Sequence, residues 1–217
     1  MPVSGTKGVA VDLRLDGKVA FVTGASKGIG RCVAEYLARE GCEVVIMART
    51  AGPLEAAAEK IAAETGRAVL PLAGDMSVTA DVQRCVDATL ERFGAIDILV
   101  TCAGSSPGGL LEDLTEEQWM ASLNLKFLGY VRSVRAVIPH MRQRGAGAIV
   151  LVVGNDGLKP SYWEMTAGVA NAADINFASS VAEQYGRYGV RGPGSRPCPG
   201  RRPSRAFPTG RCSPGRG

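Results

Sequence analysis

From Lys18 to Val153, short runs of β-branched and apolar residues alternate with longer stretches whose apolar positions recur every three to four residues. That alternation marks repeated strand–helix–strand units and a parallel sheet. Five strands are predicted: Val19 to Thr23, Glu43 to Ala48, Ala68 to Leu72, Ile96 to Thr101 and Ala148 to Val153. Strands this apolar are expected to be buried on both faces. Between them, Ile29, Val33, Tyr36 and Leu37 keep helical spacing, as do Val78, Val82, Cys85, Val86, Thr89 and Phe93. Each connection can therefore lay one apolar face on the sheet. Thr115-Glu116-Glu117-Gln118 reads as a capping box that opens a long helix running to about Arg144. A last helix is predicted from about Met165 to Tyr188, with Ile175, Ala178, Val181, Ala182 and Tyr185 on one face. The pattern predicts an α/β fold over residues 15–191, a doubly wound, mostly parallel sheet between helical layers.

Composition changes this picture only at the ends. The 26 residues from Gly192 to Gly217 hold six Arg, six Pro and six Gly with no Asp or Glu, which leaves −2 on the first 191 residues of a chain whose formal charge is +4. The body is nearly neutral, so the basic balance gives no support for a nucleic-acid-binding surface. The tail cannot bury enough apolar surface to offset its ordering entropy and is expected to be disordered. Residues 1–14 read as a flexible arm without the apolar core of a signal peptide, and no apolar run is long enough to span a membrane. Six cysteines without paired metal-site spacing read as reduced cytoplasmic thiols, and the single His140 cannot assemble a His-based metal site.

The first strand runs into Thr23-Gly24-Ala25-Ser26-Lys27-Gly28-Ile29-Gly30 and then directly into a helix. Three glycines at this spacing let the chain turn sharply, bring backbone N–H groups to a pyrophosphate and seat the helix on the strand. Strand, turn, helix and βαβ continuation together point to a Rossmann-type dinucleotide site. A carboxylate at the end of the second strand would accept from the adenosine ribose 2′-OH, whereas a cation there favours a 2′-phosphate. Arg49 stands at that place and Lys27 lies in the turn. Both favour NADP(H) over NAD(H), unless they are merely solvated surface cations.

These residues resemble the short-chain dehydrogenase/reductase family, whose T-G-x-x-x-G-x-G turn is matched at Thr23, Gly24, Gly28 and Gly30. The resemblance extends from about Leu15 to Arg191. It implies cofactor contacts from Gly24, Ser26, Lys27, Gly28, Ile29, Gly30 and Arg49. It also implies an acidic side chain against the adenine amine from Gly74-Asp75-Met76, hence contacts from Asp75 and Met76. Thr101-Cys102-Ala103-Gly104 stands where the family has N-N-A-G. Cys102, Ala103 and Gly104 keep the close backbone approach, while two amides that brace the loop are replaced.

The family's chemistry rests on a Tyr acid/base, a Lys four residues later that lowers its pKa, and a Ser that polarises the substrate oxygen. Aligned on the fifth strand, the three positions hold Gly154, Ala167 and Asn171, with no hydroxyl, phenol or ammonium among them. Asn171 keeps the cofactor-facing place of the Lys. Asn124 matches a helix Asn that feeds a proton-relay water in the family, or is an amide bonding its own backbone. The loop after Gly154 holds Asn155, Asp156, Lys159, Tyr162 and Glu164. Tyr162, with Lys159 nearby, is the candidate replacement acid.

The family continues past a V-R-V-N-like segment into further strands, whereas this chain passes from Val190-Arg191 into the Arg/Pro/Gly tail. The last strands are expected to be missing and the edge of the fifth strand exposed, through a reading-frame change or a natural basic tail. Two functional readings follow. One is an NADP-dependent oxidoreductase that transfers hydride between nicotinamide and a small carbonyl or alcohol substrate, with no bound metal. The other is a non-catalytic NADP-binding relative acting as a scaffold or sensor, or arising as a defective product. The resemblance further implies a homodimer or homotetramer, with neither nucleic acid nor membrane as a partner.

Overall fold

The computed structural model describes residues 12–192. Residues 1–11 of the expected arm and 193–217 of the expected tail lie outside the described residues, and the frame-change reading lies there with them. Six strands form one sheet: β1 (Val19–Thr23), β2 (Glu43–Ala48), β3 (Val69–Ala73), β4 (Ile98–Thr101), β5 (Gly147–Leu151) and β6 (Val190–Arg191). Their order is β3-β2-β1-β4-β5-β6, and every pairing is parallel. The chain winds outward from β1 to one edge, then returns and winds to the other.

Alternation along each strand builds two cores. Ala20 and Val22 of β1 join Val44, Ile46 and Val100 against α1 (Gly28–Arg39) and α2 (Ala51–Thr65). Phe21 joins Val45, Leu99 and Ile149 on the opposite face, beneath α3 (Thr79–Phe93), α5 (Phe127–Arg144) and α6 (Met165–Tyr185). The expected burial on both faces holds for β1 and β2, but β3, at the sheet edge, is only half-buried.

Several expectations need correction. In α1 the period located the helix but not its inner face: Ile29 and Tyr36 are exposed, while Gly30, Ala34 and Ala38 are buried. Small residues face inward because the helix lies so close to β1 that a Cβ on Gly30 would fall 2.5 Å from the Gly24 carbonyl oxygen. The long helix is two, α4 (Glu116–Leu125) and α5, interrupted at Lys126, although the Thr115 capping box is formed. The last helix, α6, ends at Tyr185, and a 3-10 turn over Gly186–Tyr188 replaces its predicted final residues. Gly189 follows at φ +76° and turns the chain back toward the sheet. There a sixth strand begins: Val190 and Arg191 pair with Gly147 and Ala148, so part of the β5 edge expected to be bare is covered.

Among the described residues no helix is long and apolar enough to cross a membrane, and no group of three or more His, Cys, Asp or Glu could hold a metal ion.

Candidate functional site

The carboxyl ends of β1 to β4 converge on one cleft, bordered by Gly24, Arg49, Gly74, Met76, Ala103 and Gly104. Backbone bonds tie its walls together. Gly24 N–H donates to the Met47 carbonyl at 2.8 Å, and Gly74 N–H to that of Ala48 at 3.0 Å. Gly24 has φ +66°, and a Cβ there would lie 2.6 Å from the Ala103 nitrogen, so only glycine lets the turn rest against the loop after β4. Gly28 has φ +59° with nothing within 4 Å of a built Cβ, so the outer side of the turn is open. Lys27 precedes α1 without a side-chain cap, and the helix's positive end faces that open side. Lys27 and Ile29 are exposed, and Ser26 is half-buried.

Arg49 is exposed at the end of β2 and also borders an adjoining hollow with Asp75 and Asn124. Asp75 Oδ1 accepts from the Ser77 N–H at 2.8 Å and the Ser77 hydroxyl at 2.7 Å. Met76 is buried beneath the cleft, against Gly129 and Ser133. In the loop after β4, Cys102 N–H donates to both the carbonyl and the hydroxyl oxygen of Thr23, at 3.2 and 3.3 Å. Main chain and Thr23 thus brace the loop where side-chain amides were missing, while the buried Thr101 hydroxyl has no partner.

The positions aligned with the family's Ser, Tyr and Lys come together in part. Gly154 N–H donates to Asn171 Oδ1 at 2.8 Å, and Asn171 Nδ2 donates to Asp156 Oδ1 at 2.7 Å. A Cβ on Gly154 would collide with Asp156 Oδ1 and lie 2.6 Å from Asn171 Nδ2. The Asp156 carboxylate therefore fills the space a serine side chain would use. Gly154→Ser alone is expected to lower stability by about 1–3 kcal/mol through overpacking without raising turnover. Gly154→Ser/Asp156→Ala is expected to recover only part of the melting temperature, because Asn171 Nδ2 would still lie 2.6 Å from the new Cβ, and calorimetry checks this.

Asn124 is held by the Arg132 side chain of the next helix, through its Oδ1 at 2.6 Å and its carbonyl at 2.9 Å, rather than by its own backbone. Tyr162 is 78% exposed and makes no side-chain hydrogen bond among the described residues. Two charged groups missed in the sequence lie nearby instead. Asp174 is fully buried on α6, both its oxygens lack partners, and burial pushes its carboxyl up to about 7, with Lys126 partly offsetting. Lys126 sits at the α4–α5 break, and its stem passes 3.5 Å from a Cβ built on Gly104. A helical count of three from Asn171 and four to Ala178 places Asp174 on the inner face, so the sequence did carry that signal.

The sequence matches the family described as short chain dehydrogenase over residues 18–199. The chain belongs to the short-chain dehydrogenase/reductase family. An NAD-dependent oxidoreductase of Mycobacterium tuberculosis, itself uncharacterized, is 34% identical over 191 residues, covering 82% of this chain and 69% of its own length. The peroxisomal 2,4-dienoyl-CoA reductase of Rattus norvegicus is 32% identical over 177 residues, covering 82% of this chain and 61% of the rat protein. The structure of L-sorbose reductase from Gluconobacter frateurii with NADPH and L-sorbose superimposes with a TM-score of 0.79 at 33% identity, over 82% of this chain and 67% of that one. The chain is thus a member of an oxidoreductase family with the family's fold.

Proposed function

We propose that this chain is an NADP(H)-dependent oxidoreductase acting on a small carbonyl or alcohol. The observation that carries the reading is the cleft at the strand ends, with the exposed Arg49 cation at its rim and the uncapped start of α1 beside it. The residues fit the cofactor: glycines at positive φ open the turn, and Lys27 and Arg49 offer charge to a 2′-phosphate. When bound, the dinucleotide supplies hydride chemistry; the chain holds and orients it. Gly24, Ser26, Lys27, Gly28, Ile29 and Gly30 would hold the pyrophosphate, Asp75 and Met76 the adenine side, and Cys102, Ala103 and Gly104 the far half, whereas Asn171 is buried with its amide spent on Gly154 and Asp156 and does not reach the cofactor as its place in the sequence implied. Titration calorimetry with NADPH and NADH tests the reading, and no heat with either would sink it. Arg49→Glu is expected to weaken NADPH at least tenfold while NADH gains, because a carboxylate repels the phosphate and accepts from the 2′-OH.

A non-catalytic NADP-binding role is the second reading, favoured by Gly154, Ala167 and Asn171 at the family's reacting positions. NADPH oxidation with a panel of ketones separates the two. We also place the chain in the cytoplasm, where thiols such as Cys42 and Cys102, pushed up to about 11 by burial, stay reduced. A homo-oligomer is part of the proposal, with Met120 and Leu128 exposed on α4 and α5 as contact residues.

A further inference from the structure

In a doubly wound sheet with this strand order, a dinucleotide crosses the carboxyl ends with its adenosine half over β2 and β3 and its other half over β4 and β5. Gly104 follows β4, and Gly154 and Asp156 follow β5, so these residues flank the second half. The Lys126 stem passes this loop, with its Cδ 3.5 Å and its Cε 3.8 Å from where a Cβ on Gly104 would lie. Burial pulls its pKa down, and the carboxylates of Asp156, Asp174 and Glu164 oppose that pull. Among the described residues its ammonium has neither an ion pair within 4 Å nor a hydrogen bond. Unlike Asp156 Oδ2 and both Asp174 oxygens, Lys126 Nζ is not sealed from solvent. A half-buried ammonium without a partner, with carboxylates to favour its charge, retains three donors for a ligand.

We propose that Lys126 supplies the cation at the reacting end of the cleft, donating to the substrate's carbonyl oxygen in the absence of an ammonium at position 171. The inference rests on the NADP(H) reading above. A fixed ammonium at that oxygen stabilises negative charge as hydride from NADPH reaches the carbonyl carbon, then gives the oxygen the proton that completes the alcohol and regains one from water, in surroundings where burial strengthens the interaction. Asp156, held by Asn171, keeps a counter-charge close by. Tyr162, exposed on its loop, is not needed for this role.

Acetic anhydride labelling of Lys126, read by mass spectrometry, provides the test. In the free chain Lys126 is expected to be labelled. Saturating NADP+ is expected to cut labelling at least fivefold, while 2′,5′-ADP, which carries only the adenosine half, leaves it unchanged. Lys126→Met is expected to bind NADPH within threefold of the parent chain and to lose carbonyl turnover at least thirtyfold, with part recovered in Lys126→Arg. Absent labelling in the free chain, or unchanged labelling under NADP+, overturns the proposal. So does unaltered turnover in Lys126→Met. Calorimetry on the parent chain keeps the two failures apart: no heat with NADPH sinks the cofactor reading and this inference together, whereas heat without protection sinks only this one.

Discussion

Gly24→Ala is expected to destabilise the chain by about 3–5 kcal/mol and to abolish NADPH binding. The φ of +66° penalises any side chain, and the added methyl would meet backbone that cannot rotate away: Ala103 N at 2.6 Å, Ala103 Cα at 2.7 Å and the Cys102 carbonyl carbon at 2.9 Å. Either the turn lifts from the loop after β4 or both strands shift, and each movement distorts the cleft floor. Gly28→Ala separates strain from collision, because its built Cβ meets nothing within 4 Å. Its cost is expected to be the conformational one alone, about 1 kcal/mol. Chemical denaturation of the two variants checks the difference, and equal losses would show that the contact with Ala103 is unimportant.

Asp174→Asn is expected to raise the melting temperature at pH 8 on the order of 10 °C and to flatten its pH dependence. Burial raises the Asp174 carboxyl to about 7 from the ordinary 3.8, so between those values the folded chain retains a proton that the unfolded chain releases. Stability attributable to this group is therefore full at low pH, falls as pH rises from about 4 through about 7, and is level above. The loss at full ionisation is up to about 4 kcal/mol, which for a chain of this size corresponds to the stated shift. A parent chain equally stable at pH 5 and pH 8, after allowance for its other groups, would contradict the assignment. The sealed, unpartnered oxygens of Asp174 are the physical origin of the effect.

Much of the fold was legible because its signals are local. β1 and β2 begin and end where the apolar runs do, and the capping box at Thr115 formed as its four residues predict. Other boundaries moved where a nonlocal partner intervened. β4 starts at Ile98 rather than Ile96, beside an Asp97 carboxylate that accepts from Val19 N–H at 2.9 Å. β5 ends at Leu151, and the Val152 carbonyl accepts from the Tyr130 hydroxyl at 2.9 Å. In the site, the glycine turn was legible as a turn because its residues adjoin in sequence, although what it rests against, Met47 and Ala103, comes from distant segments. Lys126 was not, since its place depends on packing among α4, α5, α6 and the loop after β4.

Residue order alone specified the parallel α/β architecture and the glycine turn, because periodicity and backbone freedom are properties of short segments. Packing in three dimensions was needed to establish that Asp156 fills the space beside Gly154, that Asn171 links the two, and that Lys126 and Asp174 are charged groups within the same region. Those facts depend on segments dozens of residues apart coming within a few ångströms. Burial then sets the electrostatic character of each group, and burial exists only once the layers have packed.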